Sequence, residues 1–211
     1  NSQLIDIAYC PERVLPGNIL KELLSNDRIV GGLTLKASQK AFDFYSCFCN
    51  SEIHITNSKT AELAKLSENA FRDVNIAFAN ELSMICDELD INSNELINLT
   101  NKHPRVNILH PGCGVGGHCI AIDPWFIVNT TKNSLLIKTA RDVNNKKAEW
   151  VLDKIVKEGK RLESQMQRRL IIGFFGLAFK PNIDDLRESP AVEITKRTIE
   201  KGFSTLICEP N

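Results

Sequence analysis

The sequence predicts an α/β chain in three zones: the end of one α/β domain, an all-helical middle and the start of a second α/β domain. Three observations carry this. Short β-type runs alternate with helical patterns over residues 1–58; long helical periodicity takes over from Ser58; α/β alternation returns from Arg169. The zones are bounded at 1–58, 59–160 and 161–211. At 43% hydrophobic and 25% charged residues, the composition is that of a globular protein and excludes a disordered chain.

In order along the chain, strand-type runs at Ile5–Tyr9, Arg28–Val30 and Glu52–Thr56 flank helical patterns near Asn18–Ser25 and Ser38–Phe48. Leu63, Leu66, Ala70, Val74, Ala77, Phe78, Leu82 and Ile85 then recur at helical spacing, with Ser58 placed as the N-cap. Ser93 and Asn94 are placed to cap a short helix over Glu95–Leu99, which His103-Pro104 ends. A further helix is expected over Leu135–Val156, followed by a charged joint at 157–169. Leu170–Phe175 reads as a strand, Ser189 with Pro190 as a helix start, and Phe203–Cys208 as a closing strand. The chain enters a strand-like run almost at once and stops directly after another, so it reads as a fragment of a longer protein.

Charge and composition exclude several functions. Twenty-six basic residues balance 26 acidic ones, and a nucleic-acid surface needs a basic excess. No apolar run approaches the roughly 18 residues of a membrane span. Seven cysteines without framework spacing suit a reduced, cytoplasmic setting.

Chemistry concentrates in a few stretches. Gly112-Cys113-Gly114-Val115-Gly116-Gly117-His118-Cys119 leads into Asp123-Pro124-Trp125-Phe126. Its glycines permit close backbone approach to a ligand and positive φ. If a helical turn begins at Cys119, that thiol sits where unpaired N–H groups favour a thiolate, with Asp123 one turn on. Pro124 makes any such helix short or offset. An inert, buried cysteine beside a glycine turn is the plainer alternative, and a zinc site from Cys113, His118 and Cys119 a third that lacks paired ligand spacing. Lys65, Asn69 and Arg72 share one stripe of the long helix, where they make either an oxyanion-stabilising row or a solvated face. Pro11-Glu12-Arg13-Val14-Leu15-Pro16-Gly17 leaves the end of a strand, where α/β proteins bind ligands. Gly173 to Lys180 and Asp184 to Pro190 form a strand–loop–helix start, with Lys180 and Arg187 available for phosphates; the Gly173/Gly176 spacing does not match GxGxxG.

Taken together, these stretches resemble the UDP-glucose/GDP-mannose dehydrogenase family of nucleotide-sugar dehydrogenases. PERVLPG, NDRIVGG (Asn26 to Gly32), GVGGHCIAIDPWF (Gly114 to Phe126) and GLAFKPNIDDLRESP (Gly176 to Pro190) follow the family's order and are most like its UDP-N-acetyl-D-mannosamine branch. The resemblance implies Rossmann-like outer domains around a central helical dimerisation region. It also implies oxidation of a UDP-sugar's primary alcohol to a carboxylate by two NAD+, for surface polysaccharide synthesis. Carried over by position, Cys119 is the nucleophile, Lys65 and Asn69 assist at the oxyanion or in proton transfer, Asp123 assists the water, and Glu12 matches a family glutamate. Arg13, Val14, Lys65, Asn69, Arg72, His103, Arg105, Gly116, Phe179 and Lys180 match substrate contacts, and Arg187 a cofactor contact. The second glutamate of the UDP-glucose enzymes is Pro16 here, which points away from UDP-glucose. A UDP-N-acetylglucosamine 6-dehydrogenase and a non-catalytic dimerisation fragment are the alternatives. The family's opening GxGxxG strand–turn is absent from this sequence, so the chain is expected to be inactive alone.

Overall fold

The computed structural model describes residues 5–14, 17–180 and 184–210. Two compact units divide between Glu68 and Asn69, inside one long helix. Leu15 and Pro16 of the first motif loop, and residues 181–183 of the last, lie outside the described residues.

The first unit holds β1 (Ala8–Tyr9), α1 (Ile19–Ser25), β2 (Arg28–Gly32), α2 (Leu35–Ser46), β3 (Ile53–Asn57) and the start of α3 (Ser58–Glu88). β2 is the central strand, antiparallel to β1 and parallel to β3, with Val30 opposite Ile55. The parallel pair needs a crossover, and α2 supplies it. Ser38 fastens that helix to the sheet: its Oγ accepts from Gly32 N at 2.8 Å and donates to Thr56 O at 3.2 Å. The buried Arg28 at the head of β2 donates to Leu23 O at 3.1 Å and lies 4.6 Å from the Tyr45 ring centroid, which accounts for a cation inside a small sheet.

Several boundaries in this unit differ from expectation by a few residues, three of them for an identifiable reason. β1 is only Ala8–Tyr9, because just two residues pair with Gly31 and Gly32; Ile7 makes a single further bond, accepting from Leu33 N at 2.9 Å. α2 starts at Leu35, ahead of Ser38, since Thr34 Oγ1 caps Ala37 N at 3.1 Å. Asn57, not Ser58, caps α3, its Oδ1 accepting from Thr60 N at 2.9 Å.

The second unit holds the rest of α3, then α4 (Ser93–Thr100), α5 (Asp123–Thr130), α6 (Leu135–Met166), β4 (Ile171–Phe175), α7 (Pro190–Glu200) and β5 (Ser204–Cys208). Asn92 caps α4, one position ahead of Ser93, accepting from Asn94 N and Glu95 N. α6 continues through the segment expected as a joint and stops at Gln167, which adopts φ 51°. Lys157–Met166 consists mostly of good helix formers, and Arg161 closes a pair with Glu158 one turn back at 2.6 Å, so charge there marks a solvated helix face. Parallel β4 and β5 are joined across α7, which starts at Pro190 under the Ser189 cap as the sequence suggests. Among the described residues no helix is long and apolar enough to cross a membrane.

The interior of the second unit mixes apolar residues (Ala70, Ala77, Cys86, Ile97, Leu152) with a buried polar group of unusual size: Asp73, Asn80, Arg141 and Asn144. Asp73 Oδ1 accepts from Arg141 Nη1 at 2.6 Å and from Asn144 Nδ2 at 2.8 Å, joining α3 to α6. Removing one partner of such a pair leaves a charge with neither water nor counter-ion. Arg141→Met is therefore expected to cost about 3–5 kcal/mol, and the joint Asp73→Leu, Arg141→Met change clearly less. Thermal unfolding of the two variants of the full-length protein checks this, and equal losses would mean the pair is not coupled.

Candidate active site

In the second unit the glycine-rich loop lies against the stretch before α7. A Cβ on Gly116 would sit 2.5 Å from Glu188 O and 2.8 Å from Phe179 Cβ, and one on Gly117 would meet the Phe179 ring at 2.9 Å. Gly117 also has φ 81°, in the left-handed region. The close approach that the glycines allow is thus to the chain's own Phe179 and Glu188. Gly116, expected at the substrate, has its α-carbon turned toward this packing.

The opposing stretch is itself held at both ends. Glu209, just after β5, accepts from the N–H groups of Leu177 and Ala178. Ser189 Oγ donates to Leu177 O at 2.6 Å, and Phe179 N to Asp185 O at 3.3 Å. Arg187 grips Asp185 through two side-chain bonds, Nε to Oδ1 at 2.8 Å and Nη2 to Oδ2 at 2.7 Å, and so holds that carboxyl well below its usual range. Lys180 is exposed.

Cys119 closes the loop. It is exposed, and its carbonyl accepts from Ile122 N at 3.1 Å and Asp123 N at 2.8 Å. A turn therefore begins at Cys119 and runs into α5, whose start is moved to Asp123 with Pro124 in its first turn. Asn69 Nδ2 donates to Asp123 Oδ2 at 2.6 Å, so the fold brings these two expected site residues together next to the cysteine's own turn. Cys113 is different. Burial pushes its thiol above the ordinary range, and it lines a cavity of about 480 Å³ with Ser83, Lys147 and Trp150. Of the two loop cysteines, only Cys119 is both exposed and at a helix approach.

Arg72, His103 and Arg105 are exposed; Arg105 N donates to His103 Nδ1 at 3.3 Å. No described hydrogen bond or ion pair ties Arg72 or Arg105 to the glycine loop. Among the described residues no three His, Cys, Asp or Glu side chains converge as a metal donor set, so Cys113, His118 and Cys119 do not form one.

In the first unit, the loop after β1 is organised by Glu12. Its Oε1 accepts from Arg13 N at 2.7 Å and Val14 N at 3.2 Å, while Oε2 lies 3.8 Å from Arg28. Lys65 Nζ donates to Glu12 O at 2.8 Å, and Arg13 pairs with Glu68 at 2.9 Å. Glu12, Arg13, Val14 and Lys65 thus form one cluster within this unit.

Three models of one family match the chain in order. They are the NAD-binding domain over residues 1–49, the central domain over 59–146 and the UDP-binding domain over 173–211. The chain belongs to the UDP-glucose/GDP-mannose dehydrogenase family.

A UDP-N-acetyl-D-mannosamine dehydrogenase of Campylobacter jejuni is 56% identical over 98% of the chain and 50% of its own length. An NDP-N-acetyl-D-galactosaminuronic acid dehydrogenase of Ralstonia solanacearum is 55% identical over 98% of the chain and 48% of its own length. Among solved structures, a UDP-D-ManNAc dehydrogenase from Pyrococcus horikoshii superposes with TM-score 0.87 at 39% identity, over 97% of this chain and 49% of that one. The chain spans about half the length of the curated relatives it matches. The family resemblance and the α/β architecture around a helical centre both stand.

For NAD, the β2–α2–β3 crossover is the parallel unit from which dinucleotide folds are built. Its glycines are consumed internally: a Cβ on Gly31 would meet Ala61 Cβ and Asn57 O at 2.5 Å, and one on Gly32 would meet Ser38 N at 2.4 Å. The unit fits the edge of such a fold, and none of its residues is assigned a contact with the dinucleotide. Sequence reasoning missed Asn80, Asn144 and Glu209. An acid directly after a strand could have signalled Glu209; an asparagine inside a helical pattern gives no signal of the other two.

Proposed function

We propose that the whole protein of which this chain is part oxidises the primary alcohol of a UDP-linked N-acetylhexosamine to the carboxylate, and that Cys119 is the nucleophile. The observation that carries this reading is the pairing of an exposed Cys119, at the start of its own turn, with Asp123 held by Asn69. The mannosamine configuration is the favoured one. It rests on Pro16 in place of the second glutamate and on relatives bearing that name, although a relative named for a galactosaminuronic acid is equally similar.

The chemistry runs in two oxidations. Loss of hydride and proton from the alcohol gives an aldehyde. Cys119 Sγ adds to its carbon, forming a thiohemiacetal and retaining the reactive aldehyde in covalent form. Loss of a second hydride, with the hydroxyl proton, leaves a thioester, and water cleaves the C–S bond to release the carboxylate and the thiol. NAD+ bound by the whole protein supplies the acceptor for each hydride, and Arg187 is the one residue of this chain assigned to it.

Asp123, fixed by Asn69, is assigned to the hydrolytic water, and Asn69 also donates toward a developing oxyanion. Lys65 is assigned to proton transfer and alkoxide stabilisation, and Glu12 sets the loop that carries Arg13 and Val14. Arg13, Val14, Arg72, His103, Arg105, Phe179 and Lys180 are assigned to the nucleotide sugar, the cations meeting its diphosphate. Gly116 is assigned there as well, through the packing that orients Phe179. The setting is cytoplasmic, the product feeds surface polysaccharide, and the three domains divide near 58 and 160.

A homodimer through α3 belongs to the same reading. Phe71, Phe78 and Ile85 stand 70%, 55% and 45% exposed at seven-residue steps along that helix, an apolar row suited to a two-fold partner.

Cys119→Ala in the full-length protein is expected to lose at least ~10³-fold in turnover of UDP-N-acetyl-D-mannosamine with NAD+. Two NADH per sugar at near-parental rate from that variant would sink the assignment. Light scattering after size exclusion is expected to give twice the chain mass for the full-length protein, falling to one when Phe71 and Phe78 are both changed to Glu. A monomeric parent would remove the dimer.

A further inference from the structure

A buried amide relay runs from the interior of the second unit to the entry of the glycine-rich loop. Asn80, on α3, is 0% exposed. Its Oδ1 accepts from Gly112 N at 2.8 Å, and its Nδ2 donates to Asn144 Oδ1 at 2.9 Å. Asn144, on α6, spends its own Nδ2 on Asp73, at 2.8 Å to Oδ1 and 3.1 Å to the carbonyl. Asp73 is fixed in turn by Arg141, which is also held by Asn145 at 2.7 Å.

The direction of every amide in this chain is determined. Asp73 offers only acceptors, so Asn144 must present its NH₂ there and its oxygen to Asn80. Asn80 must then give its NH₂ to Asn144 and is left with its oxygen aimed at Gly112. That oxygen meets the Gly112 N–H at the head of the loop. Turning Asn80 over would put like against like at two contacts and turning Asn144 over at three, in a place where water cannot compensate.

We propose that Asn80 is a positioning residue for Cys119, with Asn144 as its support. This rests on the reading of Cys119 as nucleophile. The run from Gly112 to Cys119 carries few side chains able to hold it, so its path depends on fixed points. Gly116 and Gly117 are wedged against Phe179 and Glu188, and Cys119 O ends the run by accepting from α5. The entry point is the Asn80 bond. Without it, the nearest upstream anchor lies four residues back at Ile108, whose N–H and carbonyl are both held by Asn101, and the placement of the sulfur relative to the sugar carbon becomes variable. A displacement of about 1 Å at a reacting atom is enough to cost up to ~10²-fold in rate.

The test uses the full-length enzyme with UDP-N-acetyl-D-mannosamine and NAD+, comparing Asn80→Leu, Asn80→Asp and Cys119→Ala. Asn80→Leu keeps the forked outline of the side chain, with bulkier ends, and loses both bonds. Its kcat is expected to fall roughly 10- to 100-fold with KM for the sugar within about threefold. Hydrogen exchange should quicken in the peptide over 112–119 and stay at the parental rate in α3 and α6. Asn80→Asp is nearly isosteric and, when protonated, restores both bonds, accepting from Gly112 and donating to Asn144. Its kcat should therefore approach the parent's at low pH and fall as pH rises through the new carboxyl's titration, a limb absent from the parent.

With Cys119→Ala inactive, Asn80→Leu activity within twofold of the parent overturns the positioning role alone. So does exchange that quickens equally across α3 and α6, because the residue is then part of the helix packing and nothing more. If Asn80→Leu does not fold, the Asn80→Asp profile decides, and a profile parallel to the parent's overturns the proposal. An active Cys119→Ala overturns the nucleophile reading, and the positioning role with it.

Discussion

A carboxylate that water cannot reach has to be met by fixed donors, and Asp73 is met by two, Arg141 and Asn144, both from α6. That requirement does more than hold two helices together. It sets their register, because a shift along either axis would strand a buried charge at a cost of several kcal/mol. It also sets the orientation of Asn144, then of Asn80, and so reaches the Gly112 amide. Burial pushes the Asp73 carboxyl upward in pKa while Arg141 and Asn144 pull against it. A polar interior of this kind is poor value as stability, and its use lies in admitting one arrangement only.

The glycine loop shows the complementary constraint. Glycines at a candidate site are usually explained by a ligand that needs room, yet Gly116 and Gly117 give that room to Phe179 and Glu188. The loop and the stretch before α7 interlock, and Glu209, Ser189 and the Arg187–Asp185 fork hold the second partner in shape. A short, side-chain-poor segment thereby becomes a rigid mount for an exposed thiol. The other loop cysteine turns into a cavity where burial keeps it protonated. One loop thus carries two thiols that differ in exposure, Cys119 open to solvent and Cys113 partly buried.

Much of this was legible in the residues. Period and composition placed the helices and strands in order, and Ser189-Pro190 marked the start of α7. Boundaries failed where a neighbouring cap won: Asn57 took the role expected of Ser58, and Asn92 that of Ser93. The tail of α6 was hidden because Lys157–Met166 has the charge of a joint and the propensity of a helix. Cys119, Asn69 and Asp123 were visible as candidates, though only the fold joins the last two. Asp73, Asn80 and Asn144 were not visible. Each breaks a helical apolar pattern in the way a solvated residue does, and the partners that join α3 to α6 lie some 64 to 71 residues away. Sequence periodicity reports which face is apolar; it does not report which polar groups are buried together.

The central claim, that this interlocked loop presents Cys119 as a covalent nucleophile, is tested most directly by trapping. The full-length protein is mixed with UDP-N-acetyl-D-mannosamine and NAD+, quenched in acid within the first turnover, digested and weighed peptide by peptide. The account predicts the mass of the sugar acyl group on the peptide containing Cys119, on that cysteine and not on Cys113. Unmodified Cys119 together with free aldehyde released at the rate of NADH formation would contradict it.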